Sequence, residues 1–278
     1  MKRWLEEPVT ECPCGRVHES PVVRVELTRG AMDALPEIVA SEAAGEGTLV
    51  LLADPDTWDA AGSRAAALLR ADGADVLEVL CSRAPHADDV TLAGLQTRLP
   101  SRARGVIAVG AGTINDLGKA LAAKADAPLV SVGSAASMNG YASSIVALTE
   151  RGLKKTLPAR PARALVLDLD VIAAAPGRMN SAGFGDLMSK PVSSADWLLS
   201  REFFGTPVCP TALGMADEAV TRARALARGV GKAEPEALEA LTEALVLSGL
   251  SMSYAGASSP ASGGEHLISH YLDISEKG

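Results

Sequence analysis

Residues 105–121 read GVIAVGAGTINDLGKAL, and the fold turns on how they are taken. GVIAVG is a short β-branched run of the kind buried in a parallel strand, while TINDLGKAL has the spacing of a helix. Gly110 and Gly112 stand at the junction. Glycines there let a backbone approach a phosphate closely, and a new helix offers free N–H groups and its positive end. The stretch is not the G-x-G-x-x-G fingerprint, because Asn115 takes the place of the third glycine, and it is not a Walker A loop. Taken alone, it fits an ordinary structural turn as well as a dinucleotide loop.

Working outward, TLVLLAD (48–54), DVLEVL (75–80), APLVSVG (127–133) and RALVLDL (163–169) repeat the strand texture. TWDAAGSRAAALLRA (57–71) repeats the helical one. Strand and helix in alternation predict a parallel sheet with right-handed crossovers. SSIVALTERGLKKTLPAR (143–160) interrupts the pattern as two strands around an ERG turn, a hairpin inserted in the α/β order. After Ala175 strand signals cease and every segment has helical spacing. The expected organisation is an α/β dinucleotide-binding part over 1–175 and an all-helical part over 176–278, with a cleft between them.

Two further stretches belong with the opening one. Asp54 ends TLVLLAD, where a carboxylate can accept hydrogen bonds from an adenine-ribose hydroxyl. VSVGSAASMNGYASS (130–144) follows the next strand with Ser134, Ser137 and Ser143, candidates for a phosphate or a nicotinamide carboxamide. Ser, Asn and Gly also favour plain turns. Two such loops after successive strands lie on one edge of a parallel sheet, and that edge is where ligands bind.

Bulk properties narrow the function. Of 278 residues 47% are hydrophobic but only 3% aromatic, so the core is built from Ala, Val, Leu and Ile, as suits buried parallel strands under Ala-rich helices. A net charge of −8 without a long basic run argues against nucleic acid as a partner. No apolar run approaches the ~18 residues of a membrane span, and the N-terminus lacks the apolar core of a signal peptide. Four irregularly spaced cysteines then read as reduced thiols in the cytoplasm. CPCGRVH (12–18) offers Cys12, Cys14 and His18 to zinc, but C-x-C with one His and no second knuckle reads as a loop.

The closing residues, ASGGEHLISHYLDISEKG (261–278), place His266 and His270 four apart, on one face of a helix. Two imidazoles so placed grip a divalent metal, and a site of this kind usually has a third protein ligand. Glu265 beside them invites comparison with H-E-x-x-H, but the order is wrong. In isolation, the pair reads as a solvated helix face.

GAGTINDLGK, SAASMNGYASS, GLKKTLPA, AGFGDLMSKPVSSADW and ASGGEHLISHYLD together resemble the sn-glycerol-1-phosphate dehydrogenases. These are a branch of the iron-containing alcohol dehydrogenase, glycerol dehydrogenase and dehydroquinate synthase-like superfamily. The resemblance runs from CPCG to the C-terminus. It implies an α/β nucleotide-binding part facing a helical part, with NAD(P) and one divalent metal, zinc or else nickel or iron, in the cleft. The implied reaction interconverts dihydroxyacetone phosphate and sn-glycerol 1-phosphate. By the same resemblance the segment Gly112 to Asp116, with Thr113 and Asn115 in it, holds the pyrophosphate. Ser134 and Ser137 match a threonine-x-x-serine pair, and Ser143 a further cofactor-contacting serine. Asp186 matches a carboxylate that ligates metal and touches substrate, His266 the first metal histidine, and His270 a substrate contact.

Two departures from the family pattern follow. The second metal histidine, followed by glycine, has no counterpart here, which leads to the expectation of a truncated chain. Asn139 stands where many relatives carry aspartate; Asn hydrogen-bonds a hydroxyl but takes up no proton at neutral pH, so a relay would run through His270 or ribose hydroxyls. Lys190, one helical turn after Asp186, is the candidate cation for a substrate phosphate, and Lys154 and Lys155 are expected to face solvent. The alternatives are a glycerol dehydrogenase-like polyol oxidoreductase and a catalytically degenerate NAD(P)-binding protein. A homo-oligomer is compatible with all three.

Overall fold

The computed structural model of the chain describes residues 1–275. Six strands form one sheet: β1 (Arg24–Thr28), β2 (Thr48–Ala53), β3 (Val76–Leu80), β4 (Ala103–Gly110), β5 (Leu129–Gly133) and β8 (Ala164–Asp168). Their order is β1-β8-β5-β4-β2-β3, and every neighbouring pair is parallel. The hairpin between β5 and β8 is present as expected, with β6 (Ile145–Glu150) antiparallel to β7 (Leu153–Pro158) and Arg151 and Gly152 at the turn.

Helices α1 (Lys2–Glu6), α2 (Leu35–Glu42), α3 (Pro55–Thr57), α4 (Ser63–Ala71), α5 (Asp89–Gln96) and α6 (Gly112–Ala125) precede the hairpin. The expected helix over 57–71 is one continuous rod only in outline, since a π-helical turn at Trp58–Gly62 joins α3 to α4. After β8 come only helices: α7 (Leu169–Ala174), α8 (Gly177–Met188), α9 (Lys190–Phe204), α10 (Pro210–Ala225), α11 (Ala227–Gly231), α12 (Pro235–Ala255) and α13 (Gly264–Ser275). Strand β1 was not among the strands read from the sequence. It is a half-buried edge in which Val25 and Leu27 alternate with Arg24 and Glu26, so it lacks the apolar run that marks its neighbours.

The sheet has a core on each face, as the two-residue period of a strand requires. Leu49, Leu51 and Ile107 pack with Ile38 of α2 and Leu69 of α4. Val50, Leu52 and Val106 face the other way, into a larger cluster holding Leu117 of α6, Met215 of α10 and Leu245 of α12. Helix α12 is buried along nearly its whole length, which explains its apolar sequence. Helix α8 comes so close to the loop after β5 that a side chain at Gly183 would collide with the Ala136 carbonyl.

The first eighteen residues do not stay with the sheet. The Met1 ammonium lies 3.1 Å from Glu243 of α12, Trp4 donates to Glu218 of α10 at 3.2 Å, and Tyr254 donates to the Trp4 carbonyl at 2.8 Å. Among the described residues, no helix is long and apolar enough to cross a membrane.

Candidate functional site

From β2 the chain moves outward to β3, then returns to β4 on the opposite side of β2. That reversal opens a crevice at the carboxyl ends of β2 and β4, the place where open α/β sheets bind ligands. A cavity of about 750 Å³ occupies it. Asp54, Gly112, Thr113, Ser134 and Ser137 line it, together with Arg178 of α8. Five residues from three separate stretches of sequence thus meet at one site. Asp54 is also the N-cap of α3, accepting from the Thr57 amide at 2.8 Å while its own amide donates to the Thr57 hydroxyl at 3.0 Å.

Gly110 and Asn115 serve the turn rather than the cavity wall. At Gly110 a Cβ would lie 2.5 Å from that of Ile114, because the helix folds straight back over the end of the strand. The Gly110 carbonyl accepts from the Ser134 amide and from the Tyr141 hydroxyl, both at 3.1 Å. Asn115 is buried; it accepts from the Ser131 hydroxyl at 2.9 Å and donates to the Gly140 carbonyl at 3.3 Å. Its side chain therefore ties α6 to β5 and to the serine loop.

A second cavity, of about 270 Å³, adjoins the first, and Gly112 and Met138 line both. Asp116, Asn139, Asp186, His266 and His270 surround it. The Asp186 carboxylate is held from two sides, by Lys190 at 2.6 Å on Oδ1 and by the Asn139 amide at 3.1 Å on Oδ2. His266 Nε2 lies 3.8 Å from the same Oδ1. Its Nδ1 is 2.7 Å from Glu265, a carboxylate that only accepts; Nδ1 must carry the proton, which leaves the Nε2 lone pair facing Asp186 when the ring is neutral. Burial works against the Glu265 charge, but hydrogen bonds from His266 and the Gly263 amide hold its carboxyl below the ordinary value. The His266 and His270 rings meet edge to face at 6.2 Å. Burial pushes the Asp116 carboxyl up to about 6, although Lys119, the Ala147 amide and Lys154 pull it down.

Two residues depart from expectation. Ser143 lines the smaller cavity but is buried, and its hydroxyl donates within its own loop, to the Gly140 carbonyl at 3.0 Å, while accepting from Lys119 at 2.9 Å. Lys119, which drew no attention in the sequence, also donates to the carbonyls of Gly140, Ser143 and Ile145. It fixes the strand-to-hairpin corner from below. Lys190 is equally buried and donates to the Ala261 carbonyl at 2.8 Å as well as to Asp186, so it orients the carboxylate and does not line the smaller cavity. Lys154, exposed on the hairpin as expected, does line that cavity, together with Thr156.

The chain is similar to known proteins in sequence and in fold. Residues 26–176 match the iron-containing alcohol dehydrogenase family. A glycerol-1-phosphate dehydrogenase [NAD(P)+] of Halalkalibacterium halodurans is 34% identical over 99% of this chain and 69% of its own length. The chain belongs to the glycerol-1-phosphate dehydrogenase branch of that family. A second such relative, of Bacillus licheniformis, is also 34% identical, over 98% of this chain and 68% of its own length. The chain thus spans about two thirds of the length of these relatives. The crystal structure of glycerol dehydrogenase from Schizosaccharomyces pombe superposes with a TM-score of 0.70 at 22% identity, covering 82% of this chain and 60% of that one, and so shares the fold.

A family of oxidoreductases named for iron implies a metal. The carboxylate of Asp186 and the imidazole of His266 fit two adjacent positions around a divalent ion: oxygen and nitrogen donors face one small cavity, each oriented by a neighbouring charged group. Among the described residues no third His, Cys, Asp or Glu donor joins them within metal-binding distance.

Proposed function

We propose that this chain binds NAD(P)H across the sheet crevice and a phosphorylated triose beside Asp186, and interconverts dihydroxyacetone phosphate with sn-glycerol 1-phosphate in the cytoplasm. The observation carrying this reading is that the crevice lined by Asp54, Gly112 and Ser134 adjoins the pocket of Asp186 and His266, the two sharing Gly112 and Met138 in their walls. A dinucleotide laid along the crevice would bring its reactive ring to the substrate pocket. Relatives named for this reaction support the choice of substrate.

When bound, the dinucleotide supplies or accepts hydride, and a divalent ion held by Asp186 and His266 polarises the carbonyl oxygen; zinc is the ion we favour, since its sites combine such ligands. The chain's own residues do the rest. Gly112 and Thr113 open α6 and offer backbone N–H groups and a hydroxyl to the pyrophosphate, with Ser134 and Ser137 facing them. The Asp54 carboxylate at the crevice rim favours a ribose hydroxyl over a ribose phosphate, hence NADH over NADPH. Lys190 and the Asn139 amide hold Asp186 in place. The Asn139 side chain already donates to Ser248 at 3.1 Å, so its role is to fix the substrate wall, and His270 is the group placed to hydrogen-bond a substrate hydroxyl. Lys154 at the rim replaces Lys190 as the candidate partner of the substrate phosphate.

The test is oxidation of NADH by the purified chain with dihydroxyacetone phosphate or dihydroxyacetone, with and without added zinc. Metal-dependent turnover of the phosphate ester, much faster than of the free ketone, is expected. Equal rates would make the protein a glycerol dehydrogenase-like enzyme. NADH binding without turnover of either would leave a nucleotide-binding protein.

A further inference from the structure

The segment CPCGRVH, a loop by its sequence, closes on a partner from the far end of the chain. Val9 and His18 form an antiparallel bridge, with amide-to-carbonyl distances of 2.8 and 3.0 Å. Inside it the chain reverses at Gly15, whose φ is +78° and whose amide donates to the Cys12 carbonyl at 2.9 Å. This turn sets Cys14 Sγ 3.1 Å from His18 Nε2. Cys209, the N-cap of α10, completes the group, its Sγ 3.7 Å from Cys12 Sγ and 3.4 Å from His18 Nε2. All four donor atoms lie within 4.8 Å of one another.

A tetrahedral zinc with Zn–S of about 2.3 Å and Zn–N of about 2.05 Å has donor-to-donor edges of roughly 3.4–3.8 Å. Three of these contacts, at 3.7, 3.4 and 3.1 Å, are at or near that range. A disulfide needs sulfurs about 2.05 Å apart, and the cysteines here are free thiols. Two hydrogen-bond donors face the sulfurs. The Thr211 hydroxyl donates to Cys12 Sγ at 3.1 Å, and the Ala212 amide to Cys209 Sγ at 3.4 Å. The positive end of α10 adds its field. His18 is stacked on Tyr254 at 5.2 Å with 7° between the rings, which fixes the imidazole plane. Cys12, His18 and Cys209 are buried and Cys14 half-buried, so the group is sheltered yet close to the surface.

We propose that Cys12, Cys14, His18 and Cys209 form a closed Cys₃His zinc site, distinct from the Asp186–His266 pocket, which clamps the N-terminal segment onto the start of α10. Four protein ligands leave no open position for substrate, so the site is structural. It joins residues 197 positions apart, and through Tyr254 it touches α12, the central helix of the helical half.

Cobalt loading distinguishes the two metal sites, because only thiolate ligation gives an intense sulfur-to-cobalt charge-transfer band in the near ultraviolet. The full chain is expected to show that band and, as isolated, to hold one zinc that survives dialysis against a chelator but is released when a mercurial blocks the thiols. The His266→Ala variant should keep both signals, and a Cys12→Ser/Cys14→Ser variant should lose both. A wild-type chain with native circular dichroism but no thiolate–cobalt band overturns the proposal, whatever the variants do. So does a Cys12–Cys209 disulfide found by non-reducing peptide mapping of the protein purified under reducing conditions.

Discussion

Among the described residues two groups of side chains carry donor atoms suited to a metal, and they differ in openness and in what orients them. Asp186 and His266 come from α8 and α13, face a cavity of about 270 Å³ and leave coordination positions to other ligands. Cys12, Cys14, His18 and Cys209 face one another and no described cavity has them in its wall. The first group is oriented by charges, Lys190 on Asp186 and Glu265 on His266. The second is oriented by backbone: a β-bridge, a glycine turn and a helix N-terminus. An open site tuned by charge suits catalysis, whereas a closed one held by backbone suits structure.

The sharpest way to break this contrast is Asp186→Asn. It should lower kcat with dihydroxyacetone phosphate by about 10³-fold or more, as removal of a ligand to a Lewis acid would, and it should lower the melting temperature as well, because the buried Lys190 ammonium loses its counter-charge. Lys190→Met should follow at about 10–100-fold in metal affinity, the range for losing an orienting partner, read by metal titration at fixed NADH. Cys209→Ser should act on stability alone. Tm should fall by about 5 °C or more, given roughly 2–4 °C per kcal/mol for a chain of this size, with kcat per folded molecule held within a few-fold. If Cys209→Ser instead abolished turnover at unchanged Tm, the two sites would not be separable as drawn.

A smaller effect concerns pH. The folded Asp116 carboxyl titrates near 6, above its ordinary value of 3.8, so the folded protein holds this proton more tightly than the unfolded chain. The resulting stability is fully present below about pH 3.8 and is lost as pH rises through 6. Asp116→Asn should remove it. The wild-type minus variant difference in unfolding free energy should fall by at most about 3 kcal/mol between pH 4 and 7, measured by urea denaturation. A flat difference would mean that Lys119 and Lys154 fully offset the burial.

Much of the fold was legible because its signals are local. The runs TLVLLAD, GVIAVG and APLVSVG became β2, β4 and β5 nearly residue for residue, and ERG became the hairpin turn. Asp54, Gly112, Ser134 and Ser137 met at one cavity because they follow strands that lie side by side, and position after a parallel strand already implies the binding edge. The strand β1 was missed because an edge carries charges that hide its period.

What stayed hidden depended on packing between distant segments. Nothing local marks Lys119 as the residue that consumes the Ser143 hydroxyl, or Lys190 as buried against Ala261. Helical spacing placed Lys190 beside Asp186, but only the packed α13 connection showed which way its ammonium is used. Cys209 lies 191 residues from His18, and no spacing rule reaches that far. By itself the sequence determined the α/β order, the hairpin and the edge where ligands sit, since hydrophobic period and glycine turns act over a few residues. The tertiary structure alone decided which polar groups are spent on one another and which still face a cavity, because burial and donor geometry are set by whichever segments pack together.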